Sequence, residues 1–108
     1  MNKTLLIAGL LLAAGGGLRA AEAKENWDKH CAKCHGADGK GQTRMGKQAG
    51  AKDYTDAKVQ GDLKDENAIK VIKEGLTHDG KKKMDAYGGK LSDDEIKALV
   101  AHIRGFKK

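Results

Sequence analysis

The chain has 108 residues, 21 basic and 15 acidic side chains, a net charge of +6 at pH 7, no proline and two cysteines. That length suits one domain. Two cysteines exclude the disulfide framework of many small secreted domains, and lysines interleaved with carboxylates make a poor nucleic-acid surface.

Residues 1–20 stand apart from the rest. Lys3 gives a positive start, Leu5 to Ala14 is a short apolar run, Gly15, Gly16 and Gly17 break it, and small residues follow at Ala20, Ala21 and Ala23. This is the layout of a secretory signal peptide, cut after Ala20 or as late as Ala23. An uncleaved membrane anchor is the rival reading, but the run falls short of the roughly 20 apolar residues a span requires. Cleavage at Ala20 leaves a domain of residues 21–108 with 19 basic and 15 acidic groups, net +4. The expected product is exported to the periplasm, soluble and not inserted in the membrane.

The first predicted helix covers 22–33 (EAKENWDKHCAK), which lacks Gly and Pro and holds mostly helix formers. From Gly36 to Gly61 six glycines and no long apolar stripe predict a loop region, with a short helical turn after Thr55 capped by its hydroxyl. Residues 65–74 (DENAIKVIKE) predict a helix with acids at its start, Lys73 near its end and Gly75 just past it. Residues 76–91 read as polar and irregular. Ser92 and Glu95 form a capping box for the last helix, in which Ile96, Leu99, Val100 and Ile103 recur at helical spacing. No segment alternates like a strand, so the class is all-α. Trp27, Tyr54, Tyr87 and Phe106 are the only aromatics. The side-chain core is therefore thin, and a cofactor is expected to fill the centre.

The sequence Cys31-Ala32-Lys33-Cys34-His35 carries the chemistry. Two thiols three positions apart can add to the two vinyl groups of one porphyrin, and the histidine that follows is then held below the iron as proximal ligand. A thioredoxin-type dithiol would sit beside a βαβ pattern, which is missing here. A zinc site would need a fourth ligand, for which His78 or His102 is the candidate. A short-range disulfide needs no histidine. Covalent haem c, one per chain, is the reading that uses all three side chains.

The motif does not supply a sixth ligand. Met84 lies 49 residues beyond His35, in the stretch between two helices, where a loop can fold over the far haem face. Methionine sulfur there would raise the reduction potential relative to a second histidine. Met45, ten residues past His35, is expected to fill core space instead. His30 is too near the attachment site, His78 is expected in solvent, and His102 is expected packed or half-exposed on the last helix.

These features resemble the class I monohaem cytochromes c, especially the small bacterial periplasmic ones. The resemblance spans nearly all of the mature chain. It rests on the helix ending in Cys31 to His35, on Gly36-Ala37-Asp38-Gly39-Lys40-Gly41, and on Met84 to Ser92 (MDAYGGKLS) leading into the last helix. It implies a fold of three to four helices with long loops around one haem, with the first and last helices crossing. Cys31 and Cys34 would be the thioether anchors, and His35 and Met84 the axial ligands.

Trp27 and Leu99 match the residues expected at the crossing. His102 departs from the usual aromatic and is expected to weaken it. Asp85 replaces the proline that often follows the ligand methionine, which frees the loop and brings a carboxylate toward the iron. With no proline in the chain, some backbone carbonyl other than that of an X-Pro bond must accept from His35 Nδ1.

Filled axial positions imply a one-electron carrier rather than an enzyme, a monomer that docks briefly with redox partner proteins. Lys81, Lys82 and Lys83 run into Met84 and suit partners with acidic surfaces. They suit equally a solvated loop. A haem-based sensor or gas-binding module, with a displaceable sixth ligand, is the alternative function.

Overall fold

The computed structural model describes residues 19–108. Most of the expected signal peptide lies outside the described residues. Residues 19–35 form one helix, α1, longer at both ends than the sequence predicts. It passes through a π turn at Trp27–Cys31 and ends in the turn Ala32–His35. Ala23, Trp27 and Cys31 are buried. Their spacing of four places them on one face. Gly36, at φ +80°, stops the helix directly after the histidine.

The glycine-rich segment is more ordered than expected. It contains α2 (Arg44–Ala49), capped by the Thr43 hydroxyl and closed by left-handed Gly50. α3 (Ala57–Asp62) follows, and its cap is Asp56, whose carboxylate accepts from the Lys58 amide at 2.8 Å. The expected cap, Thr55, instead donates its hydroxyl to Asp53 at 2.6 Å. Glycine spacing predicts loop here because each helix is under two turns long and carries no apolar stripe to betray it.

α4 (Asp65–Glu74) occupies the predicted range, with Asp65 and Glu66 in its first turn and Gly75 at φ +77° beyond it. The stretch expected to be irregular then forms a hairpin of β1 (Leu76–His78) and β2 (Lys81–Met84). Asp79 and Gly80 both have positive φ, the backbone of a two-residue turn that matches strand twist. α5 (Asp93–Arg104) starts at the predicted capping box: the Ser92 hydroxyl accepts from the Glu95 amide, and the Glu95 carboxylate accepts from the Ser92 amide.

The architecture is therefore helical, with five helices among the described residues and one short hairpin. Its core joins Trp27 and Cys31 of α1, Ala68 and Ile72 of α4, Leu91, and Ile96, Leu99, Val100 and Ile103 of α5. Ile96 and Leu99 are wholly buried. The first and last helices meet at Trp27. Its ring lies 5.5 Å from His102 and 5.1 Å from Phe106, and His102 meets Phe106 edge-on at 5.0 Å. His102 keeps the meeting point aromatic, with Phe106 edge-on to the imidazole.

Among the described residues no helix is long and apolar enough to cross a membrane.

Candidate functional site

Cys31 ends the π turn of α1, and Cys34 and His35 occupy the turn after it. Both thiols are free, Cys31 buried and Cys34 half-buried. Burial, helped by nearby Cys34, pushes the Cys31 thiol up to about 11.

A helix end leaves carbonyls without intrahelical donors, and α2 supplies partners here. The Thr43 hydroxyl donates to the Cys34 carbonyl at 2.8 Å and accepts from the Gly46 amide at 2.9 Å. Gly46 packs so closely on the Cys34 carbonyl that any Cβ would collide with it. The motif is therefore braced by a helix that composition alone did not reveal.

His35 is half-buried, and desolvation lowers its pKa below the ordinary histidine value. Its imidazole is consequently neutral at pH 7 and has a lone pair to offer. The ring packs 5.5 Å from Trp27, at 37° to it, and 5.5 Å from Tyr54, stacked at 27°. Tyr54 is fixed by its amide, which donates to the Gly39 carbonyl at 2.8 Å. His35 Nδ1 is buried with no hydrogen-bond partner among the described residues, so the expected backbone acceptor is not at hand. The nearby Gly36 carbonyl already accepts from the Trp27 indole at 2.9 Å.

Among the described residues no three His, Cys, Asp or Glu side chains gather as they would around a metal ion. Cys31, Cys34 and His35 would hold a haem if one were attached, the two thiols through its vinyl groups and the imidazole through its iron.

Met84 ends β2, half-buried and packed against the core cluster that contains Cys31. Met45 is exposed on α2 rather than filling core space. His78 is in solvent as expected, 3.4 Å from Asp79. His30 faces the Tyr87 ring at 5.5 Å. Asp85 pairs with Lys82 at 2.9 Å, and that contact holds its carboxyl below the usual range. Lys81 and Lys82 are exposed, and Lys83 is half-buried.

The family described as cytochrome c oxidase, cbb3-type, subunit III matches residues 18–103. The chain belongs to this family of c-type cytochromes. A solved structure of the KustC0563 c-type cytochrome is 38% identical, with a TM-score of 0.69 over 80% of this chain and 98% of that one. A Tyr-to-Phe mutant of Kustc0563 is 37% identical, with a TM-score of 0.70 over 80% of this chain and 99% of that one. No curated protein matches the chain.

For a c-type cytochrome, the free thiols and the neutral histidine fit covalent haem, and haem-based electron transfer is the family's activity. Sequence reasoning missed two positioning groups of this cytochrome, Thr43 and the hairpin. Asp79-Gly80 is a legible turn signal for the second. The Thr43 contact with Cys34 has no local signal.

Proposed function

We propose that this cytochrome is a periplasmic one-electron carrier with His35 and Met84 as axial ligands and Cys31 and Cys34 as thioether anchors. The observation that carries the reading is the half-buried, neutral His35, which directly follows two free thiols at the end of α1. Bound haem would supply the reversible one-electron chemistry.

The chain's own residues bind and orient. Trp27 and Tyr54 both pack on the imidazole and orient it. Thr43 and Gly46 hold the Cys34 backbone. With His35 and Met84 occupying both axial positions, no place is left for a substrate, which supports a carrier rather than an enzyme. The salt bridge to Lys82 balances the Asp85 charge that would otherwise favour the oxidised state. Lys81 and Lys82, exposed on β2 next to Met84, suit brief docking with acidic redox partners.

The test is an absorption spectrum of protein made in a host with haem-attachment machinery. Sharp reduced bands with colour surviving denaturation are expected, together with a weak far-red sulfur-to-iron band that Met84→Ala abolishes. A colourless protein would overturn the reading. Haem without the far-red band would move the function toward a sensor with an open sixth position.

A further inference from the structure

We propose that Tyr87 is the positioning residue for the Met84 sulfur, acting through a hydrogen bond to the helix that carries the attachment cysteines. The inference rests on Met84 being the sixth ligand.

Tyr87 follows Met84 by three positions, and its hydroxyl donates to the His30 carbonyl at 3.1 Å, across 57 residues of sequence. His30 immediately precedes Cys31. The same residue is fixed at its backbone. Its amide donates to the Ile72 carbonyl at 2.8 Å, and its carbonyl accepts from the Lys90 and Leu91 amides at 3.0 and 2.9 Å. The next amide, Gly88, donates to Lys73 at 3.0 Å. Tyr87 therefore ties the methionine loop to α4 through its backbone and to α1 through its side chain.

The other side of Met84 is anchored by the hairpin. Leu76 pairs with Met84 and Thr77 with Lys82, which leaves Lys83 as the extra residue of a bulge. A bulge shifts the alternation of side chains by one and redirects those beyond it. Lys83 and Met84 are both half-buried in consequence, while Lys81 and Lys82 point to solvent. Between these anchors stand only Asp85 and Ala86, both exposed. Asp85 cannot fix φ as a proline would. The loop's stiffness has to come from its ends, and Tyr87 is the end that reaches α1.

The experiment uses the haem-loaded protein and follows displacement of the sixth ligand by imidazole in the ferric state, together with the far-red band. Tyr87→Phe keeps the ring and removes only the hydroxyl. We expect it to bind imidazole about fivefold more tightly than wild type, the factor one ordinary hydrogen bond represents. Asp56→Ala removes the α3 cap and serves as a remote destabilised control; imidazole affinity should be unchanged there. An unchanged affinity in Tyr87→Phe, or the same increase in both variants, would overturn the positioning role. Failure of the underlying reading looks different: wild type itself would lack the far-red band, or Met84→Ala would retain it, and the proposal would fall with that reading.

Discussion

The Trp27 indole N–H donates to the Gly36 carbonyl at 2.9 Å, so the most buried aromatic of α1 is bonded to the residue directly after His35. One side chain thereby fills the core between α1 and α5 and holds the chain where it leaves the haem motif.

Trp27→Phe retains most of the packing but leaves the Gly36 carbonyl without this donor. Because the Gly36 carbonyl keeps the Gly39 amide at 3.1 Å, a loss of about 0.5–1.5 kcal/mol is expected in denaturant unfolding of the haem-loaded protein. Trp27→Ala adds a cavity and should cost about 3–5 kcal/mol.

Two glycine replacements should act in opposite directions. Gly46→Ala drives a Cβ into the Cys34 carbonyl and should push α2 off the motif, lowering the yield of haem-loaded protein. Gly61, inside α3, has nothing within 4 Å of an added Cβ. Gly61→Ala should leave haem content unchanged and raise stability by about 0.5–1 kcal/mol, because alanine loses less backbone entropy in a helix. Haem content per chain, followed by thermal unfolding, checks both.

Gln60 is the one buried polar residue among those described, and its side-chain N–H groups donate to the Tyr54 carbonyl at 2.7 Å and the Ile103 carbonyl at 2.8 Å. Its own oxygen accepts from Arg104 at 3.0 Å. Gln60→Leu takes the donor from the Tyr54 carbonyl and frees the segment behind His35, while the Ile103 carbonyl keeps the Phe106 amide at 3.1 Å. A destabilisation of about 1–3 kcal/mol is expected from one carbonyl losing its donor. Urea unfolding measures it.

Stability should also fall on mild acidification. Burial against Trp27 and Phe106 lowers the His102 pKa, which outweighs the opposing pull of Asp28; Lys24 adds to the lowering. The unfolded chain then holds more protons than the folded one between the folded value and the ordinary value of about 6.5. Folding is unpenalised above that ordinary value and weakens as pH drops through the folded one. His102→Phe should flatten this part of the profile. The fall below about 4.5, where the Glu95 and Asp93 carboxylates, held low by their hydrogen bonds to the Ser92 amide and Lys73, become protonated, should remain. Denaturant midpoints measured from pH 8 to pH 3 separate the two.

What the sequence determined by itself is local. The thiol spacing and adjacent histidine of the attachment motif, the range of α4 with Gly75 behind it, and the Ser92–Glu95 capping box each depend on residues within about one or two helical turns. So does the buried stripe of α5, and all of these are legible in the order of the residues. The Asp79-Gly80 turn is equally local, but Lys81 to Lys83 mask the strand beside it with charge. What only the tertiary structure decided are contacts between segments far apart in sequence. Tyr87 bonds to His30 across 57 positions and Gln60 to Ile103 across 43. Tyr54 lies against His35, and His102 finds Trp27 and Phe106. Periodicity and capping report how a segment folds on itself, whereas these partners are chosen when the helices pack and each buried donor must find an acceptor.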